Sequence, residues 1–162
     1  MNVKKADIFK ILHIMLIVGT VLFIFIQSTK SPTVSKEESD KVGEIIEEIL
    51  PPDKPAGEFI QINLRKIAHF TEFFILGIEL SAYVLIFMRS TKSALVTYPC
   101  ALFIAFLDES IQIFSGRGPA ILDVWIDFLG YCSSSVLIFS VYSLVRLVLR
   151  FLNKRKGVKT NG

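Results

Sequence analysis

The chain holds only two cysteines, Cys100 and Cys132, each inside an apolar run. They read as small core residues, which leaves no disulfide framework and no cysteine metal site. No GxSxG, P-loop, HExxH or cysteine–histidine signature occurs, so the common nucleophile, phosphate and zinc-peptidase motifs are excluded. The basic residues are not interleaved with aromatics on a polar surface, which removes nucleic acid as a partner. There is no internal repeat and no low-complexity segment. What is most conspicuously missing is charge from long stretches. Of 162 residues 52% are hydrophobic, and the mean hydropathy is +0.55. That is too apolar for an ordinary soluble domain and points to several membrane spans in one compact all-α domain, residues 1–162.

Four apolar runs are long enough to cross a bilayer: about 8–27, 64–88, 93–114 and 122–149. The first follows Lys4, Lys5 and Lys10 and could pass for a signal peptide. It is long for one, and Ile26-Gln27-Ser28-Thr29 lacks a small-x-small cleavage site, so an uncleaved span is expected. His13, near its start, reads as a polar residue at the interface. Between the first two spans, Val42, Ile45, Ile46, Ile49 and Leu50 share one helical face, opposite Glu37, Glu38, Asp40, Glu44, Glu47 and Glu48. An amphipathic helix over about 36–50 is predicted, opened by a Ser35–Glu38 capping box and ended by Pro51-Pro52. Its acidic face suits packing on the protein, as a lid, better than lying on anionic lipid; a helix tethered without a role is the alternative.

Lys and Arg gather at the N-terminus, at Arg89 and Lys92, and in the tail from Arg146 to Lys159. The positive-inside rule puts all three in the cytoplasm of a multi-pass cell-membrane protein, and four spans satisfy it. The 28–63 connection and the 115–121 turn then face outward. Lys66, His69 and Glu72 begin the second span. Asp108, Glu109 and Gln112 end the third. Arg117, Asp123 and Asp127 lie in or just after the outer turn. All three sets reach the same side. Glu79 falls seven residues beyond Glu72, about 10 Å deeper. An ionisable group at that depth costs roughly 2.5 to 3.5 kcal/mol unless it is protonated or hydrogen-bonded. Ser133 to Ser135 lie at the matching depth of the fourth span and are its expected partners. Gly130 and Ser134 have the small-xxx-small spacing of a close helix contact.

At the outer end the carboxylates Glu72, Asp108, Glu109, Asp123 and Asp127 outnumber the fixed cations Arg65, Lys66 and Arg117. A cluster of that kind takes up protons, binds a cation or braces helix ends through ion pairs. A histidine with several carboxylates could hold a divalent cation, although the HxxE of His69 and Glu72 alone is a weak motif and the sequence requires no cofactor. The same residues offer a general acid and a general base.

The segments KIAHFTEF (residues 66–73) with Gly77, DESIQIF (residues 108–114), Gly116-Arg117, Asp123, Asp127 and Gly130 resemble the VanZ-like family of bacterial membrane proteins. The resemblance runs over about 64–141. It departs at Asp127, where the family often has Asn, and at Ser134, near which the family has Gly; the second departure implies slightly looser packing. The resemblance implies an association with resistance to teicoplanin-type glycopeptides. Such drugs carry an acyl chain that partitions into the outer leaflet, and they bind cell-wall precursors outside the cell. The expected partners are therefore the bilayer and a lipid-linked precursor or the acylated drug. As a binding protein, the chain would use Lys66, His69, Gln112, Arg117, Asp123 and Asp127. As an enzyme on such a substrate, it would use Glu72, Asp108 or Glu109 as acid or base beside His69. A proton-coupled carrier using Glu79 is the third expectation.

Overall fold

The computed structural model describes residues 3–49, 55–88, 91–118 and 120–159. They form α1 (Val3–Ser28), α2 (Pro32–Ile49), α3 (Pro55–Tyr83), α4 (Ala94–Phe114) and α5 (Ile121–Lys159). A π-helical turn, Val84–Met88, finishes α3, and a 3-10 turn, Thr91–Ser93, opens α4. Among the described residues four segments are long and apolar enough to cross a membrane: Lys5–Ser28, Ile62–Met88, Ala94–Phe114 and Ile121–Asn153. The chain is thus the all-α membrane bundle that its apolar runs predict. Exposed apolar side chains such as Leu12, Met15, Phe103 and Leu144 form the shell a bilayer would cover.

Two helices outrun their apolar segments. α3 begins before Ile62, with Glu58 in its first turn, where an acid suits the positive end of a helix. α5 continues past Asn153 to Lys159. α2 also starts earlier than predicted. Ser31 Oγ accepts from Val34 N–H at 3.5 Å, and Ser31 O accepts from Ser35 N–H at 3.0 Å. Ser31 followed by Pro32 therefore forms the start, because proline's fixed φ fits the first helical position. Ser35 lies inside the helix, where its carbonyl accepts from Ser39 Oγ at 3.0 Å. Pro51 and Pro52 lie outside the described residues. No residue of α2 is buried. Val42 and Ile46 line a cavity of the bundle, while Ile45 and Ile49 stay 60% and 75% exposed. α2 thus engages the bundle with only one edge of its apolar stripe.

The most extensive helix contact is between α3 and α5. Gly77 and Gly130 make it. A Cβ on Gly77 would stand 2.7 Å from Tyr131 O and 3.1 Å from Tyr131 Cα, and would overlap Ser134 Oγ. A Cβ on Gly130 would overlap Phe70 O and stand 3.2 Å from Phe74 N. These neighbours are mostly backbone, which cannot swing away. Ser134 is completely buried and donates to Tyr131 O at 2.9 Å. The serine therefore does not loosen the packing: its hydroxyl occupies the space that Gly77 leaves. The core adds Ile24, Phe73, Leu76, Ala101, Ala105 and Tyr131. Among the described side chains of α1, Ile24 and Ser28 are the buried ones.

The contacts fix relative direction. Ser28, at the end of α1, bonds Asp108 near the end of α4. His69, early in the apolar segment Ile62–Met88, bonds Asp127, early in α5. The polar sets of all four spanning helices therefore meet at one end of the bundle.

Candidate functional site

α3 brings Arg65, His69 and Glu72 to this end, spaced by four and three residues and so on one face. The His69 Nδ1 atom lies 3.1 Å from Asp127 Oδ1 and 3.7 Å from Asp108 Oδ2. Both aspartates are fully buried. Asp108 accepts from Ser28 Oγ on one oxygen and from Gln112 Nε2, at 2.9 Å, on the other. Gln112 Oε1 accepts from Arg65 at 2.7 Å, and the same guanidinium stands 3.8 Å from Asp123 Oδ2. A line of polar contacts thus runs Asp123, Arg65, Gln112, Asp108, His69, Asp127. Asp127 Oδ2, at its inner end, has no hydrogen-bond partner among the described residues.

Two predicted cations behave differently from expectation. Lys66 is exposed and makes none of these contacts; Arg65 makes them instead. Arg117 and Asp123 also turn to different partners. Asp123 faces Arg65, while Arg117 donates to Gln27 O at 3.1 Å and to Lys30 O at 2.9 Å. These carbonyls belong to the end of α1, where orphan acceptors and the negative end of the helix dipole favour a cation. Burial and the neighbouring Arg65 push the Arg117 pKa below its usual value, against the pull of Asp108, Glu109 and Glu38. Ser115 Oγ adds a bond to Ser28 O at 2.9 Å, so the α4–α5 turn clasps α1 twice.

Glu109 points to another task. Its Oε1 accepts from Ala120 N–H at 2.5 Å, just before α5. A carboxylate there satisfies an orphan donor and suits the positive end of the helix. Glu72 is half-buried and lines a cavity.

That cavity is a chamber of about 480 Å³ beneath α2, between α1 and α3. Arg65, His69, Glu72, Gln112 and Arg117 contribute its polar surface; Phe23, Val42, Ile46, Leu64, Ile67 and Ile75 contribute apolar walls. Phe23, Glu72 and Ile75 also line a second, apolar groove of about 320 Å³. It runs down the α1–α3 seam past Thr20, Gly19, Leu16 and Met15. Glu109, Asp123 and Asp127 do not line the chamber.

Glu79 is buried, as its depth predicts, but its partner differs from the one expected. Thr20 on α1 donates to Glu79 Oε1 at 2.8 Å, and His13 Nε2 lies 2.8 Å from Glu79 O. Ser135, expected to face Glu79, instead bonds Ser81 at 2.9 Å. Glu79 therefore belongs to the α1–α3 seam and the serines to the α3–α5 seam.

These features define a class: a membrane-embedded helix bundle with a buried histidine–carboxylate cluster at one end, beside a chamber that is part polar and part apolar. The sequence profile of the VanZ/LLP1 family matches residues 9–146, and the chain belongs to that family. No match was found among curated proteins or among solved structures.

Proposed function

We propose that the chamber receives an amphipathic cell-envelope ligand from the outer face of the membrane, and that the protein contributes in this way to resistance against teicoplanin-type glycopeptides. The observation that carries this reading is that the two cavities adjoin, sharing Phe23, Glu72 and Ile75 in their walls. A polar head would meet Arg65, Arg117, Gln112 and His69. An acyl or prenyl chain would follow the groove along α1 into the bilayer. Sites of this kind combine a mainly apolar lining with a few placed polar groups. The outward orientation rests on the basic residues of both termini and of the α3–α4 connection, which favour the cytoplasm. Single cysteines at Lys36 and Lys92, in a background without Cys100 and Cys132, test it: an impermeant thiol reagent on intact cells should label position 36 and spare position 92.

A second reading is favoured by one contact. Asp127 on His69 Nδ1 is the arrangement that orients an imidazole for proton transfer, with Nε2 left for a substrate in the chamber. The protein would then be an enzyme on a lipid-linked precursor or acylated substrate, with Glu72 as the second acid or base. The two readings separate when purified protein is incubated with envelope lipids: binding that saturates without product supports the first, turnover the second. Comparison of the lipids of membranes with and without the protein names the ligand. An unchanged lipid profile together with no saturable lipid binding would remove both.

A further inference from the structure

We infer that His69, Asp108 and Asp127 form a binding site for one first-row divalent cation, of the Zn²⁺ or Mn²⁺ type. Each residue comes from a different spanning helix, each is buried, and one ligand atom from each lies within 4.8 Å of the others. The distances suit an ion. Ligand atoms at about 2.1 Å from a tetrahedral centre lie about 3.4 Å apart, and at an octahedral centre about 3.0 Å. His69 Nδ1 stands 3.1 Å from Asp127 Oδ1, between those values, and 3.7 Å from Asp108 Oδ2, slightly beyond the longer one.

A separate observation concerns satisfaction. Asp127 is 0% exposed, yet its Oδ2 has no hydrogen-bond partner among the described residues. A buried carboxylate oxygen left unpaired is costly in a hydrogen-bonded core. A cation chelated by both oxygens of the Asp127 carboxylate, Oδ1 and Oδ2, supplies the missing partner. It also neutralises two buried carboxylates beside one imidazole, which the neighbouring guanidinium groups do not do by contact: Arg65 reaches Gln112 and Asp123, and Arg117 reaches the carbonyls of Gln27 and Lys30.

The surroundings are those of a supported ligand set. Ser28 and Gln112 hold Asp108, and Arg65 holds Gln112, so this aspartate is aimed by two layers of contacts. Imidazole with carboxylates favours Zn²⁺ or Mn²⁺ over Ca²⁺ or Mg²⁺, which prefer all-oxygen sites. Three protein ligands leave a coordination position open, and His69 borders the chamber. The cation assignment stands apart from the ligand proposed above, because it is measured with metal alone.

Full-length protein in detergent, stripped with a chelator, is titrated with Zn²⁺, Mn²⁺ and Mg²⁺; retained metal is counted by mass spectrometry after gel filtration, and melting is followed in parallel. The expected result is about one Zn²⁺ or Mn²⁺ per chain with a raised melting temperature, and no comparable effect of Mg²⁺. His69→Gln and Asp127→Ala should weaken binding at least tenfold, while Glu109→Gln binds like the parent. Gln112→Ala, which loosens the hold on Asp108, should fall 10- to 100-fold. Should these variants fail to fold, the Mn²⁺ form of the parent decides by its magnetic resonance spectrum, where coupling to one imidazole nitrogen is expected. Monodisperse parent protein that retains no ion, variants that bind as well as the parent, or bound Mn²⁺ without nitrogen coupling would each overturn the assignment.

Discussion

The two seams of α3 differ in kind. Against α5 each helix brings one glycine, Gly77 and Gly130, and the space of each missing side chain is already filled by the other helix's backbone and, at Gly77, by Ser134. Against α1, α3 leaves a groove lined by Gly19, where an added Cβ would meet no other part of the bundle within 4 Å. One seam is closed by shape and the other is left open. The closed seam carries His69 to Asp127 and aligns the buried cluster. The open seam carries the chamber and groove. Rigidity where ligand atoms must be held and space where a ligand must enter is the division expected of a binding site built on helices.

The largest expected effect breaks the closed seam. Gly130→Leu or Gly77→Leu drives a side chain into backbone, and overpacking without a flexible neighbour exceeds the usual penalty of about 1 to 3 kcal/mol. Neither variant should yield monodisperse protein in detergent; recovery at parental levels would show that the seam can open. Next in size is the clasp on α1. Arg117→Ala removes two hydrogen bonds from a charged donor to Gln27 O and Lys30 O, each worth about 1.5 to 3 kcal/mol before water replaces it. A clear fall in melting temperature is predicted, together with faster hydrogen exchange over 24–30. An unchanged exchange pattern there would assign α1 a hold elsewhere.

A smaller effect separates bracing from acting among the acids. Glu109→Gln still offers an oxygen to Ala120 N–H and loses only the charge at the start of α5, worth about 0.3 to 1 kcal/mol. It should retain resistance at matched membrane levels, and loss of resistance with unchanged melting would move Glu109 into the site. The smallest effect lies deep in the closed seam. Ser81→Ala or Ser135→Ala alone should destabilise by about 1 kcal/mol, and the pair by less than the sum, because the double change leaves no orphaned hydroxyl. Strict additivity would mean that the two hydroxyls are not bonded.

Much of this was legible in the sequence, and the misses share a cause. Four apolar runs of bilayer length give the bundle, and the alternation of spans brings both motifs to one end whatever their role. The Gly130–Ser134 spacing marks the close α3–α5 contact. Helix phase was the weak link. Lys66 and Arg65 are one residue apart, about 100° around a helix. Arg65, His69, Glu72, Leu76 and Glu79 follow four–three spacing, which selects Arg65, and the structure agrees. The same spacing joins His13, Thr20 and Gln27 on α1, a polar line hidden inside an apolar run. It would have pointed to α1 as the partner of Glu79 and Arg117. Glu109 was out of reach, because its acceptor role depends on where the chain turns into α5. So was the start of α2, where the proline of Ser31-Pro32 outweighed a plausible capping box.

The open seam is the heart of the account, and Gly19→Leu tests it most directly. A leucine there has space, so the variant should fold, reach the membrane and melt like the parent, with a slight gain from replacing a helical glycine. It would also fill the groove along α1. Glycopeptide resistance is measured at matched membrane levels, with Glu72→Gln beside it as the change where groove and chamber meet. The account predicts at least a tenfold loss of resistance in Gly19→Leu with an unchanged melting temperature, and a loss in Glu72→Gln as well. Full resistance in a well-folded Gly19→Leu variant would contradict it.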